Sequence, residues 1–458
     1  MECVAYPDTH SGRTAPLLRR SRDDRPPVRA VHLGLGNFFR AHQACYTAQA
    51  ADADRWGIAA FTGRSRALAD DLTAQGGLYT LVVRGPHHDE FSVPGAVARA
   101  HPGTDLDAWR DALADPRVAL LTLTVTESAY LRGPGGGLDT QRADVRADVT
   151  ALRRGEGPVT TVPGRLIAGL AARRAARCGP LAVVPCDNLP GNGALTARVV
   201  ADMAGLADPA LSTWIRDSVS FVTTMVDRIT PQTTDDDRRV VRDATGHDDA
   251  APVVTEPYAE WVLSGDFPAG RPDWASAGAR FVADVTPYEQ RKLLLLNGAH
   301  SLLAYAASAR GHDTVAEAAA DPACRTWLDQ WWDEASRHVP LPGAELTAYR
   351  RSLLDRFGNQ RIRHTLAQVA ADGSEKIPIR LLPVLRAERA AGRMPHGAVR
   401  LLAAWIAHLR GAGAPVADAG ADPYRSRAGS PRDLLALLAP DLAADDELVA
   451  ATDAALAG

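Results

Sequence analysis

Val31-His32-Leu33-Gly34-Leu35-Gly36-Asn37-Phe38-Phe39-Arg40 reads as an apolar strand that breaks at two glycines and restarts as a helix. A strand, a tight glycine turn and a helix start aim backbone N–H groups and the positive end of the helix at one point, which suits a pyrophosphate. Gly34, Gly36, Asn37 and Phe38 are therefore the candidate cofactor-binding residues. The pattern is incomplete, because Phe39 stands where a third glycine closes the usual dinucleotide-binding run. A plain structural turn competes with a cofactor site on this motif alone. An NAD site ordinarily has an acidic residue about 20 residues further on for the ribose 2′-hydroxyl. The end of the second apolar strand instead reads Thr62-Gly63-Arg64-Ser65-Arg66, whose arginines, Arg64 first, suit a 2′-phosphate. NAD and NADP are both open at this point.

Outward from the turn, apolar segments at 58–61, 79–83, 118–125, 181–184 and 218–224 alternate with Ala/Leu/Arg helical patterns such as 106–113 and 196–206. Strand alternating with helix predicts a parallel α/β sheet. After about residue 284 the strand signals stop. Long Ala/Leu-rich helical patterns take over at 289–307, 324–337, 346–357, 379–391 and 397–409. The expected organisation is a loose polar leader over 1–27, an α/β dinucleotide-binding domain over 28–284 and a mostly α-helical substrate domain over 285–458. The run 133–137 reads as a flexible glycine loop, 233–239 as a charged turn region, and 411–430 as a surface excursion before a last helix.

The 458 residues, 46% of them hydrophobic, suffice for two ordinary cores. A net charge of -4 gives no global basic field, so nucleic acid is not an expected partner. Cys3, Cys45, Cys178, Cys186 and Cys324 are scattered without CxxC spacing, which fits a reducing, cytoplasmic setting. The leader lacks the apolar core of a secretory signal. No run approaches the roughly 18 apolar residues of a membrane helix, so no membrane is expected. Nothing in the sequence sets an oligomeric state.

Of 51 lysines and arginines only two are lysines, Lys292 and Lys376. Where any solvated cation serves, this chain uses Arg, so a lysine marks a place where Arg will not do. Guanidinium cannot deprotonate in a protein, whereas a desolvated ammonium can be tuned to act as a base. Lys292 lies in Glu289-Gln290-Arg291-Lys292-Leu293-Leu294-Leu295-Leu296-Asn297-Gly298-Ala299-His300. On a uniform α-helix Glu289, Lys292, Asn297 and His300 share an arc of roughly 140° and could face one cleft. The four leucines point all round the axis, as in a helix buried on nearly every side. Such a place pushes the lysine pKa down and makes it a general base near neutral pH. Three further polar runs follow apolar segments or stand between helices: Cys186-Asp187-Asn188-Leu189-Pro190-Gly191-Asn192-Gly193, Met225-Val226-Asp227-Arg228-Ile229-Thr230-Pro231 and Asp372-Gly373-Ser374-Glu375-Lys376-Ile377-Pro378. Each reads equally as a polar turn when taken by itself. Pro86-His87-His88-Asp89-Glu90 reads as a solvated hairpin turn rather than a metal site, and no metal is expected.

Together these five runs, in this order from about residue 28 to 409, resemble the mannitol dehydrogenase family, the polyol-specific long-chain dehydrogenases and reductases that include fructuronate reductases. The resemblance implies a Rossmann-type N-terminal domain, a helical C-terminal domain and metal-independent hydride transfer with a nicotinamide cofactor in the cleft between them. It implies Lys292 as acid/base, Asn188 and Asn297 as an oxyanion-type pair, His300 as the residue that orients substrate and Glu289 as a proton relay. Asp227 then lines the site near the nicotinamide, and Lys376 binds the distal end of the substrate. The family often has His where this chain has Phe39, and Lys and Gly at the positions of Ser128 and Ala129. Mannitol 2-dehydrogenases carry Arg where this chain has Gln368, and the run from His364 to Arg380 looks more like the fructuronate reductase branch. A uronate needs a cation for its carboxylate, and Lys376, Arg363 and Arg380 are the candidates by type. The resemblance thus points to fructuronate/mannonate or fructose/mannitol as the small-molecule substrate. A mannitol-1-phosphate 5-dehydrogenase and a catalytically silent cofactor-binding regulator are the alternatives.

Overall fold

The computed structural model describes residues 15–20, 24–63 and 65–457. The chain forms two compact units, one ending at Val285 and one beginning at Thr286. Twelve strands lie in the first among the described residues: β1 (Val28–Leu33), β2 (Gly57–Phe61), β3 (Leu81–Arg84), β4 (Asp89–Ser92), β5 (Val97–His101), β6 (Leu120–Leu123), β7 (Leu181–Pro185), β8 (Val219–Phe221), β9 (Thr223–Asp227), β10 (Val253–Thr255), β11 (Glu260–Ser264) and β12 (Arg280–Phe281).

The main sheet has the order β5-β2-β1-β6-β7-β8, and every pair in it is parallel. Its central strands are mostly apolar because both faces are covered, while the edge strand β5 carries an exposed Arg99. Alternate residues divide between two cores: Ala30, Ile58, Ala60, Leu120, Ala182 and Val184 enter one, and Val31, Leu33, Ala59, Phe61, Leu121 and Val183 enter the other. Helices Leu106–Leu113, Val162–Ala175 and Asn192–Ala207 fill the second core with Trp109, Leu166, Ile167, Val199 and Met203. The strand order reverses at β1, which lies between β2 and β6, so the glycine turn leaves β1 at the switch point where open α/β sheets bind ligands. Two small three-stranded sheets, β10-β3-β4 and β12-β11-β9, complete the unit. The β3–β4 connection is a hairpin closed by Gly85 N–H on the His88 carbonyl.

The stretch 233–239 is not a turn region. Thr234 and Asp237 form a reciprocal capping box, and Asp235, Asp236 and Asp237 favour the positive end of helix Asp235–Thr245. Residues 16–20, read as part of a loose leader, are tied down: the Leu18 N–H donates to the Asp248 carbonyl, the Asp248 N–H donates to the Pro16 carbonyl, and Arg20 donates to the Gly95 carbonyl.

The second unit contains no strand among its described residues and is helical. Its spine runs from Thr286 to Arg310, but as a composite: Thr286–Arg291 is α, Lys292–Asn297 is a π turn, Gly298–Leu302 is α, and Leu303–Ala307 is π again. Helix Pro322–Ala335 packs beside it through fully buried Trp331 and Trp332. The expected 379–391 helix is two, Gly373–Arg380 and Leu382–Ala390, and the single last helix is three short ones, each opened by Pro or Asp.

Candidate functional site

In the first unit the glycine turn is built on backbone. Gly34 has φ +108, and a Cβ there would lie 1.9 Å from the Thr124 carbonyl oxygen at the end of β6. Its N–H and that of Leu35 both bond the Phe61 carbonyl of β2. At Gly36 a Cβ would meet only the Gly34 oxygen at 3.6 Å, so the space above the first helical turn is open. The first-turn N–H groups of helix Asn37–Ala41 have no carbonyl a turn earlier to bond. Asn37 contributes by backbone only, since its side chain donates to the Pro231 carbonyl at 3.1 Å and accepts from Arg40 at 2.6 Å. Phe38 stacks on His42 at 4.9 Å. Phe39, fully buried, stacks on His32 at 3.6 Å. Burial pushes the His32 imidazole down to about 3, and it stays neutral beside Thr122.

The two polar runs that follow strands converge on this turn. Asn192, fully buried, donates to the Thr224 carbonyl at 3.0 Å and accepts the Thr224 N–H at 2.9 Å, clamping the loop after β7 to the start of β9. Asp187 accepts from the Tyr130 hydroxyl and from the Leu189 N–H. Burial raises the pKa of Asp187 against those bonds. Asn188, between these anchors, is exposed. Arg228 bonds the Ala41 and Glu256 carbonyls, which fixes the segment carrying Asp227, itself buried at the end of β9.

Beside the turn Asn37, Ser65, Asp71, Thr230 and Arg238 line a cavity of about 610 Å³. This cavity begins at Asn37, the residue that follows the open space at Gly36. Arg64 lies outside the described residues. Arg66 is exposed and pairs with Asp70 at 2.9 Å.

In the second unit the π turn alters the phasing drawn for a uniform helix. A turn closed by i→i+5 bonds advances each residue by less than 100°, so the 140° arc does not hold across Lys292–Asn297. Trp331 and Trp332 donate to the Leu294 and Leu295 carbonyls at 2.9 and 2.8 Å, holding the widened turn in place. Gly298 admits Trp331, whose ring would lie 2.4 Å from a Cβ. Leu294, Leu295 and Leu296 are buried, while Glu289, Lys292, Leu293 and Asn297 are half-buried, so this helix is not enclosed on every side.

His300 turns inward, 8% exposed, with its ring 4.9 Å from Phe357 and 5.0 Å from His364. Desolvation first, then His364, Arg356, Arg380 and Lys376, hold it well below its usual pKa, so it is neutral. The Asp372–Pro378 run is not a turn but the start of helix Gly373–Arg380, entered from Asp372 at φ 54. Lys376 donates to the Val369 carbonyl at 3.3 Å and to that of Ala371. Burial, with Arg380 next, lowers its pKa, opposed by Asp372, Asp418 and Glu375. Arg380 donates to the Asn297 carbonyl at 3.2 Å and the Ser301 hydroxyl at 3.0 Å. Arg363 is exposed. Gln368 closes a capping box with Thr365.

Sequence reasoning missed His364, Arg356 and the Tyr130–Asp187 pair, whose partners lie far apart in the chain with no fixed spacing. It also missed the grouping of His312, Asp321 and Cys324, whose ligand-type atoms lie within 4.8 Å. Asp321 there caps helix Pro322–Ala335 and accepts from His312 and Arg310. His88 and Glu90 are an exposed hairpin pair at 3.6 Å. Among the described residues no helix is long and apolar enough to cross a membrane.

Two family models match the chain, the mannitol dehydrogenase Rossmann domain over residues 28–276 and the mannitol dehydrogenase C-terminal domain over 284–456. The D-mannonate oxidoreductase of Escherichia coli (strain K12) is 36% identical over 408 residues, 86% of this chain and 83% of that protein. The D-arabinitol 4-dehydrogenase of Ralstonia nicotianae is 38% identical over 404 residues, 86% of this chain and 85% of that protein. The structure of Pseudomonas fluorescens mannitol 2-dehydrogenase, a ternary complex with NAD and D-mannitol, matches with a TM-score of 0.79 at 34% identity, covering 96% of this chain and 93% of the other.

Proposed function

Because this chain belongs to the mannitol dehydrogenase family and is an NAD-dependent oxidoreductase of polyols and sugar acids, we propose that it interconverts a fructuronate-type ketone and a mannonate-type alcohol, with fructose and mannitol as the polyol counterpart. The observation that carries this reading is the Lys292–His300 segment, where an amine, an amide and a neutral imidazole lie along one helix widened by a π turn. Such turns recur at functional sites. Bound NAD supplies the hydride acceptor in oxidation and the donor in reduction. The glycine turn and the first-turn N–H groups of Asn37 and Phe38 hold its phosphates, and Asp227 lines the nicotinamide side.

Lys292 Nζ takes the hydroxyl proton as the alcohol is oxidised and returns it as the ketone is reduced. Asn297 donates N–H to the same oxygen, where negative charge gathers as the proton leaves. His300 orients a neighbouring substrate hydroxyl. Glu289 stands three residues before Lys292, near enough along a helix face to pass its proton onward. Proton chemistry by lysine leaves no step that calls for a metal. The run from His364 to Arg380, in which Gln368 closes a helix cap, resembles the sugar-acid branch, and that resemblance supports the substrate class.

Reduced-nicotinamide absorbance with D-mannonate, D-mannitol, D-arabinitol and mannitol 1-phosphate tests the substrate class; a preference for the phosphate ester would overturn the proposal. Lys292→Ala is expected to slow turnover about 10²- to 10⁴-fold while cofactor binding persists. Turnover at the wild-type rate would remove Lys292 from its role.

A further inference from the structure

We propose that Arg380 is the carboxylate receptor of this site, so that its guanidinium takes the acid end of the substrate and sets a preference for sugar acids over the matching polyols. The assignment rests on the oxidoreductase reading of the Lys292–His300 helix. Three cations qualify by type, and the structure separates them. Arg363 is exposed. Lys376 is engaged with the Val369 and Ala371 carbonyls at the end of helix Leu366–Ala370, which accounts for two of its three donors. Arg380 alone is anchored on the helix that carries the proposed chemistry, through the Asn297 carbonyl and the Ser301 hydroxyl. Those bonds fix the plane of its fork, and a fixed fork is what bidentate carboxylate recognition needs.

A second observation points to a polar ligand at the same place. His300 Nε2 is buried and has no hydrogen-bond partner, an arrangement that is costly until something occupies it. Among the charged and titratable groups near that ring are Arg356 from helix Gly343–Phe357, His364 from the segment that follows, and Lys376 and Arg380 from helix Gly373–Arg380, with the carboxylates Asp372, Glu375 and Asp418 facing Lys376. The groups that act most on the ring itself are cationic or neutral. A surface of that sign favours an anion over a neutral polyol end.

D-mannonate and D-mannitol differ only at one terminus, a carboxylate against a hydroxymethyl group, so their ratio of kcat/KM isolates the acid end. In Arg380→Gln this ratio is expected to fall about ten- to a hundredfold, carried mainly by KM for D-mannonate. Arg380→Lys keeps the charge without the fork and should fall between. Melting curves accompany both variants, and if Arg380→Gln does not fold, Arg380→Lys decides. An unchanged ratio overturns the assignment of Arg380. Wild-type protein that oxidises D-mannitol but not D-mannonate overturns the carboxylate inference and leaves the oxidoreductase reading intact. Wild-type protein that oxidises neither ends both.

Discussion

The glycine turn after β1 and the Lys292–His300 helix perform their parts by different means. At the turn almost every side chain faces inward: Asn37, Arg40, Asn192 and Arg228 bond other loops, and what is offered to a ligand is backbone and empty space. On the helix the backbone is engaged instead, by Trp331, Trp332 and Arg380 on the carbonyls of Leu294, Leu295 and Asn297, and the side chains carry the chemistry. A substitution at the turn should therefore act through folding or cofactor affinity, and one on the helix through rate.

The largest effect is expected at Gly34, where alanine combines a φ of +108 with a clash against Thr124. Gly34→Ala should lose about 4 kcal/mol or more, seen as lost soluble protein or a collapsed melting transition. A normal melting curve would show the turn to be less constrained than its contacts indicate. Asn192→Ala comes next, since it strands the Thr224 N–H and carbonyl in a buried site; about 2 to 4 kcal/mol should be lost in urea unfolding.

His32 gives a smaller, pH-dependent effect. The unfolded chain binds a proton there below about 6.5, while the folded site resists until about 3. Stability from this group is complete above pH 6.5 and declines as pH falls from there toward 3, by about 1.4 kcal/mol per unit. His32→Gln should flatten urea-derived stability between pH 6.5 and 5 relative to wild type, and equal slopes would contradict the buried neutral ring. Least of all should happen to stability in Gly36→Ala, within about 0.5 kcal/mol, because the Cβ enters open space. The same variant should nevertheless weaken NADH binding, measured by fluorescence titration, and unchanged affinity would separate Gly36 from the cofactor.

Much of the fold was legible where local chemistry and tertiary packing agree. The parallel sheet announces itself in strands apolar on both faces, and helix Leu106–Leu113 in its Ala/Leu/Arg pattern, which the Asp105 cap then opens. The helix Asp235–Thr245 was misread because a run of aspartates resembles a solvated turn until its capping box is recognised. Helix Gly373–Arg380 hides behind a left-handed Asp372 and an internal Pro378, both ordinary turn signals. The π turn has no local signature in Lys-Leu-Leu-Leu-Leu-Asn, since its released carbonyls are satisfied by tryptophans 37 residues away. In the candidate site, Lys292 was visible because lysine is so scarce in this chain. Arg356 and His364 were not, because their relation to His300 exists only in the folded second unit.

The central claim is that Lys292 serves because it can give up a proton. Lys292→Arg keeps the charge and much of the reach but cannot deprotonate. Stopped-flow measurement of NADH formation from D-mannonate, with binding of NADH titrated in parallel, should show cofactor bound and hydride transfer slowed about 10²- to 10⁴-fold. Transfer at the wild-type rate with arginine in place would contradict the account.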